Sequence, residues 1–285
     1  MILVIGGTGN IGSEVVRLLV EKGADFKVLA RDKTKAAESL PAGVEIVEGD
    51  LQQPETIDAV MQSVDKMFLV TPLHLEQVSM KSTAIQAAKR AGVNHIVMST
   101  GIGAGSDAGV EIGRWHGVNQ DEVMATGIAF TFLQPGFFMQ NILMFADSIR
   151  ANGEFYLPLG DSKVSFVDAR DIAAVAVTAL TEKGHENQTY PITGGQALGC
   201  NELASILSEV TGKGVRYVDV PLDAAKQGMM GAGLPEKLAD MMNELYALGP
   251  DGHLAYIMDT VEKVSGRPPR TFRQFAEDYS EALKG

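Results

Sequence analysis

Met1-Ile2-Leu3-Val4-Ile5-Gly6-Gly7-Thr8-Gly9-Asn10-Ile11-Gly12 joins an apolar run to a glycine-rich turn, and its reading decides the fold. The unbroken run suits a parallel strand buried on both faces, and the chain continues with Val15, Val16, Leu18 and Leu19 at helical spacing. The glycines therefore stand between strand and helix. Gly6 permits a tight turn there, Gly9 lets backbone approach an anion, and Gly12 lets the helix lie close on the strand, with unpaired amides at its positive end. A turn of this kind holds the pyrophosphate of a dinucleotide, with Gly6, Thr8, Gly9, Asn10, Ile11 and Gly12 as candidate contacts. The bland alternative is a plain glycine-rich turn. A P-loop is excluded because Ser13, not Lys, follows Gly12, and no serine carries the flanking glycines of a hydrolase nucleophile elbow.

Outward from the turn, strand-like runs at 26–30, 45–48, 67–70, 95–99 and 130–133 alternate with helical patterns such as 56–62 and 79–91. That rhythm predicts an α/β fold, a doubly wound parallel sheet of the Rossmann type with a smaller C-terminal α/β substrate lobe. The division expected is 1–135 with 164–195 for the cofactor domain and 136–163 with 196–285 for the lobe, in which 201–211, 235–247 and 272–283 read as helices. The apolar stretch 127–146 is about as long as a membrane span, but Gln134, Pro135, Gln140 and Asn141 interrupt it, so it reads as a buried strand followed by a loop and helix.

With 285 residues and 45% hydrophobic content the chain can build a full core. Its net charge of −12, with no basic run, argues against a nucleic-acid surface. A single cysteine, Cys200, and the lack of a charged leader before the first strand point to the cytoplasm, and no membrane partner is expected. Whether the chain is a monomer or a homodimer stays open.

Ligands in doubly wound sheets lie beyond the carboxyl ends of the strands. Arg31 follows the second strand, where an NAD-binding protein would place Asp or Glu roughly 20 residues beyond the last glycine. A guanidinium there, with Lys33 or Lys35 nearby, suits an adenosine 2′-phosphate, so NADP(H) is favoured and NAD(H) stays open. The alternative is that Arg31 is a solvated loop cation while Asp32 caps the next helix. Asp50 and Leu51 follow the third strand, Thr71 and Pro72 the fourth, and Ser99 and Thr100 close the fifth. These can border adenine, ribose and nicotinamide, although each also has an ordinary turn-forming or capping reading.

Taken in order, the glycine turn, Arg31, Gly49-Asp50-Leu51, the stretch from Leu133-Gln134-Pro135-Gly136 to Asn141, the stretch from Val164 to Ala173 and Tyr190-Pro191-Ile192-Thr193-Gly194 resemble the NmrA-like group of atypical short-chain dehydrogenases/reductases. That group includes reductases of triphenylmethane dyes and quinones as well as NADPH-sensing regulators. The resemblance covers nearly the whole chain and implies an NADP-binding Rossmann domain closed by a small lobe, with Pro135, Gly136 and Phe137 along the nicotinamide.

The chain departs from the wider superfamily in one respect. None of its six tyrosines has lysine four places later, so the usual Tyr-x-x-x-Lys proton donor is missing. Asn119 stands where many relatives have that lysine; its amide can bond a ribose hydroxyl or carboxamide but cannot lower a phenol's pKa by its charge. Hydride addition to a simple ketone needs a positioned acid. A quinone, cationic dye or other conjugated acceptor spreads the charge, so alignment of donor and acceptor suffices. His116 is the candidate proton donor or polar substrate contact, against the commoner reading of a structural histidine. Trp115, Phe138 and Met139 are candidate substrate contacts; Phe137, Met144 and Phe145 extend the apolar wall, 227–235 reads as a mobile lid, and most of the methionines have a plain core alternative. No two of the five histidines lie at chelating separation, so no metal is expected. The leading reading is an NAD(P)H-dependent reductase of a small aromatic or conjugated molecule, working without flavin. The alternative is a non-enzymatic NADP(H) sensor acting through a protein partner, and an isomerase or lyase with tightly held NADP stays open.

Overall fold

The apolar run after Met1 becomes the first strand of a computed structural model that describes residues 1–284. In chain order the elements are β1 (Ile2–Ile5), α1 (Asn10–Glu21), β2 (Phe26–Ala30), α2 (Lys33–Ser39), β3 (Glu45–Glu48), α3 (Ile57–Val60), β4 (Lys66–Leu69), α4 (Gln77–Ala91), β5 (His95–Ser99), α5 (Glu111–Thr126) and β6 (Ala129–Pro135). A 3₁₀ stretch, Met139–Phe145, leads into α6 (Ala146–Asn152), β7 (Glu154–Leu157), β8 (Lys163–Val164), α7 (Ala169–Thr181), β9 (Gln188–Ile192), β10 (Leu198–Gly199), α8 (Cys200–Thr211) and β11 (Arg216–Asp219). The helices α9 (Leu222–Gly231), α10 (Glu236–Tyr246), α11 (Thr260–Ser265), α12 (Phe272–Asp278) and α13 (Ser280–Lys284) complete the described chain.

Two compact units result: Met1–Pro135 with Ile172–Pro191, and Gly136–Asp171 with Ile192–Gly285. In the first, a seven-stranded sheet runs β3-β2-β1-β4-β5-β6-β9. The chain moves outward from β1 to β3, then returns to the other side of β1 with β4, so β1 stands at the reversal of strand order. Parallel pairing sets Ile5 opposite both Leu29 and Leu69, which brings the residues after β1, β2 and β4 out side by side. Alternation then sorts the apolar side chains between two layers. Leu3, Ile5, Met67, Leu69, Ile96 and Met98 pack with Ile57, Met61, Ala84, Ile85 and Ala88 from α3 to α4. Val4 and Val28 face Val16 of α1 around Gly7.

The close approach of α1 depends on glycine. Gly6 has φ +83°, and a Cβ on Gly12 would lie 2.0 Å from the Gly6 carbonyl oxygen. No side chain fits between them.

The second unit has its own core, in which Phe155, Leu203, Leu207, Phe272 and Phe275 are buried, beside a parallel pair β7-β11 and an antiparallel pair β8-β10. Asp168 is fully buried and accepts from Arg170 Nε (2.9 Å), Arg170 Nη2 (2.6 Å) and Gln140 Nε2 (3.0 Å), while Gln140 Oε1 takes the Ala169 amide at 3.0 Å. Burial raises the Asp168 carboxyl, but the Arg170 hydrogen bonds and charge outweigh it and hold the group below the usual carboxylate range. Two stretches quoted separately from the sequence, around Gln140 and around Asp168, are thus one clasp at the start of α7. Cys200 is 1% exposed, and burial pushes its thiol up to about 12.

Three details differ from the sequence reading. Residues 164–171 and 192–195 cluster with the second unit, because Val164 pairs with Leu198 and Val167 with Phe138. The segment 272–283 breaks into α12 and α13 at Tyr279. Most of the expected lid, 227–235, is the end of helix α9, none of whose residues is buried.

The glycine contact has a direct test. Gly12→Ala is expected to lower unfolding free energy by about 1–3 kcal/mol through overpacking, whereas Gly109→Ala, with nothing within 4 Å of the added methyl, changes it by less than about 0.5 kcal/mol; urea titrations of the two variants make the comparison.

Candidate functional site

At the carboxyl ends of the strands in the first unit, the structure gathers most of the residues singled out from the sequence. Thr8, Gly9 and Asn10 are exposed on the turn, while Ile11 and Gly12 are buried beneath it. The Gly9 amide closes the turn on the Gly6 carbonyl at 3.1 Å. No side chain caps the first turn of α1, and no acidic residue occupies it. Its amides and the helix dipole are therefore left to an anion from outside the chain.

Arg31 emerges beside this turn, since β1 and β2 end in register. Its guanidinium is exposed and pairs with none of the described residues, while the neighbouring Asp32 carboxylate is committed to the Lys35 amide at 3.0 Å. Asp32 thus caps α2, and Arg31 keeps its charge free. The Lys35 side chain is 84% exposed, with Asp32 3.9 Å from its Nζ. On the other flank of β1, Thr71 Oγ1 is buried with no hydrogen-bond partner, an orphan that a bound polar group would satisfy. Pro72 beside it is exposed. Asp50 follows β3, where its carboxylate accepts the Gln52 amide at 3.0 Å and its own amide donates to Thr56 Oγ1 at 2.9 Å. Leu51 is a core residue, 7% exposed, and has only its backbone to offer a ligand.

Ser99 and Thr100 close β5. Thr100 is held on both sides, donating through Oγ1 to the Leu133 carbonyl at 3.0 Å and accepting from Gln120 Nε2 at 3.1 Å. Pro135 ends β6, and its carbonyl takes the Ile102 amide at 3.0 Å. The loop 100–110 is pressed onto α5, where a Cβ on Gly117 would meet the Gly105 backbone at 2.1 Å.

Lysine appears here from an unexpected place. Lys81 of α4 is 1% exposed, and its Nζ donates to the Ser99 carbonyl at 2.9 Å and lies 3.3 Å from His116 Nδ1. The periodicity carried a signal that was passed over: Lys81 precedes Ala84, Ile85 and Ala88 by three, four and seven residues, which places it on the buried stripe of α4. Burial pushes Lys81 down to about 7. Burial, and then the charge of Lys81, hold the His116 imidazole well below its ordinary range, so it is neutral at pH 7. His116 also faces Gly101, 3.5 Å from where a Cβ would stand.

Some expected contacts lie elsewhere. Asn119 is fully buried; its amide nitrogen ties α5 to the Val78 carbonyl of α4 at 3.0 Å, while its Oδ1 has no hydrogen-bond partner. Met139 is 3% exposed within the core of the second unit, its amide bound to the Val167 carbonyl at 2.9 Å, so it packs rather than lines a pocket. In that unit Gly136 donates its amide to the Ile192 carbonyl at 2.9 Å, and Phe137 stacks on Tyr246 with centroids 5.6 Å apart. Phe138 and, in the first unit, Trp115 are half-buried. Among the described residues no cluster of His, Cys, Asp and Glu could hold a metal ion, and no helix is long and apolar enough to cross a membrane.

The buried lysine sets a pH dependence. Its pKa falls from 10.5 to about 7 on folding, so between these values the unfolded chain binds the extra proton and stability rises with pH. Lys81→Met lacks this rise. The parent is therefore expected to gain on the variant by a few kcal/mol as pH goes from about 7 to 10.5, since each pKa unit is worth about 1.4 kcal/mol, and parallel denaturant titrations across that range measure it.

Comparison with known proteins agrees with this geometry. The chain is 60% identical to NAD(P)H azoreductase of Xenophilus azovorans over 99% of both chains. The crystal structure of the NADPH-dependent quinone oxidoreductase of Escherichia coli in complex with NADPH superposes with a TM-score of 0.87 at 26% identity, covering 98% of this chain and 99% of that one. Citrobacter sp. triphenylmethane reductase in complex with NADP(H) gives 0.84 at 27% identity over 98% and 100%. The profile described as the NmrA-like family matches residues 1–275, and the chain belongs to that family.

Proposed function

We propose that this protein is an NAD(P)H-dependent reductase of azo dyes, quinones and related conjugated acceptors. The observation that carries the reading is the free Arg31 guanidinium standing beside an uncapped glycine turn, an arrangement that fits a dinucleotide with a 2′-phosphate. The backbone of Thr8 to Gly12 would hold the pyrophosphate, Arg31 the 2′-phosphate, Asp50 and Leu51 the adenine side, and Thr71, Pro72, Ser99 and Pro135 the remainder. Within the first unit, Trp115 is assigned to the acceptor by the family resemblance. When bound, a reduced nicotinamide supplies a hydride.

The chain's own part is placement. The glycine contact fixes the turn, the Asp32 cap leaves Arg31 unneutralised, and the packing of 100–110 on α5 fixes the end of β5. Acceptors that delocalise the incoming charge suit a chain that lacks the Tyr/Lys pair, and the relatives named as reductases of azo compounds, quinones and triphenylmethane dyes support that class. A lone buried cysteine accords with a reducing compartment, and the cytoplasm is the proposed location.

Two measurements test the reading. Stopped-flow mixing of protein, NADPH and a panel of azo, quinone and cationic dyes is expected to show acceptor-dependent NADPH oxidation; oxidation no faster than without protein for every acceptor would reject it and favour a sensor. In calorimetric titrations Arg31→Ala is expected to weaken NADPH by about 1.5–3 kcal/mol, roughly 10–150-fold, and leave NADH nearly unchanged. Equal losses for both would remove Arg31 from the site.

A further inference from the structure

We propose that Lys81 and His116 form a proton relay: Lys81 orients the imidazole with its Nε2 proton outward and replaces that proton through Nδ1 when an acceptor takes it. The inference rests on the reductase reading and supplies the acid that the missing Tyr/Lys pair would have provided.

Three features of the first unit lead there. Lys81 Nζ lies 2.9 Å from the Ser99 carbonyl and 3.3 Å from His116 Nδ1. An ammonium has three protons and no lone pair, so it can meet Nδ1 only when that nitrogen accepts. The neutral ring then carries its proton on Nε2, the nitrogen 3.8 Å from a Cβ built on Gly101, at the loop that follows β5. That edge lies at the carboxyl end of the sheet, where ligands of this fold are held.

The surroundings make lysine the store and histidine the conductor. From β5 and α5 the groups facing Lys81 are the Ser99 carbonyl and the His116 ring. Glu122, the α5 carboxylate turned toward α4, is engaged by Ser82 at 2.6 Å and Gln86 at 2.7 Å. No carboxylate therefore holds the lysine in its charged form. Burial brings it down to about 7, while His116 stays neutral. A neutral imidazole has no proton to spare, yet it can give one from Nε2 while taking one at Nδ1.

An azo acceptor shows the balance. Hydride from the reduced nicotinamide adds to one nitrogen, the N=N π bond opens, and its electron pair becomes an anion on the other nitrogen. That anion takes the Nε2 proton of His116, and the Lys81 proton moves to Nδ1. One hydride and one proton have been added, the product is the hydrazo compound, the imidazole is neutral in its other tautomer, and Lys81 is an amine; a solvent proton taken at Nε2 then returns the Nδ1 proton to Lys81 and restores the starting tautomer. A nitrogen anion is far more basic than a phenolate, so the acid matters most for this acceptor. A cationic triarylmethane dye needs no proton, because hydride alone neutralises it.

The free protein gives the first test. Histidine-selective ¹⁵N NMR is expected to find His116 neutral, protonated on Nε2, at pH 6.5; a proton on Nδ1, or an imidazolium at that pH, overturns the proposal. The second test compares single-turnover hydride transfer to an azo dye and to a cationic triarylmethane dye. In the wild type the azo rate is expected to fall above about pH 7 while the cationic-dye rate does not follow it. Lys81→Met and His116→Phe are expected to lower the azo-to-cationic rate ratio at least tenfold, in keeping with the contribution of general acids. Lys81→Arg restores the Nε2 tautomer, since a guanidinium can donate to Nδ1, but not the azo rate, since it does not release its proton. A wild-type azo rate flat across pH 6–9, or an unchanged ratio in both variants, overturns the relay and leaves the reductase reading intact. A wild type that reduces neither dye overturns both.

Discussion

Helix α1 lies so closely on the turn after β1 that a Cβ on Gly12 would strike the Gly6 carbonyl, and a Cβ on Gly6 would in turn strike Val70 at the end of β4. The rest of the first unit takes its usefulness from that contact. It turns the chain sharply at the carboxyl end of the central strand and aims the uncapped end of α1 across the sheet's edge. Register does the remainder, because β2 and β4 pair with β1 at the same residue and so deliver Arg31 to one side of the turn and Thr71 to the other. A helix one methyl group farther away would disturb the turn that lies between them.

A second tension lies a few residues away, on α4. Burying an ammonium without a carboxylate is costly, and ordinarily the group neutralises instead. The chain keeps Lys81 in a cleft of two polar partners, a carbonyl and an imidazole, neither of which carries negative charge. That arrangement leaves the proton loosely held, close to neutrality, at the end of β5. A tightly ion-paired lysine in the same place would be more stable and could release nothing.

Much of this was legible in the sequence. The strand-turn-helix reading from Met1 to Gly12, the placement of Arg31 after β2 and six of the seven strands of the sheet follow from local patterns, which short parallel strands and glycine turns preserve; β9 was not among the strands read. Side-chain partners were not legible. Gln140 and Asp168 were each noticed for their neighbours, yet that they bond one another depends on how the second unit folds. Asn119 was read by its position against relatives, and only the packing of α4 on α5 shows that it serves as a tie between helices. Met139 reads from the sequence as part of an apolar substrate wall, with a plain core alternative; the bridge between Phe138 and Val167 carries it into the core. Lys81 was the instructive omission. A charge in a helix is taken by habit for a solvated face, although its spacing from Ala84, Ile85 and Ala88 said otherwise.

The burial of Cys200 acquires meaning beside the chemistry proposed for the chain. Quinones are electrophiles that alkylate exposed thiolates by conjugate addition. This chain has one sulfhydryl, at the first residue of α8, sealed at 1% exposure and raised to about 12, so almost none of it is ionised at neutral pH. A catalyst that must meet such molecules repeatedly is thereby shielded from covalent inactivation at its most vulnerable atom.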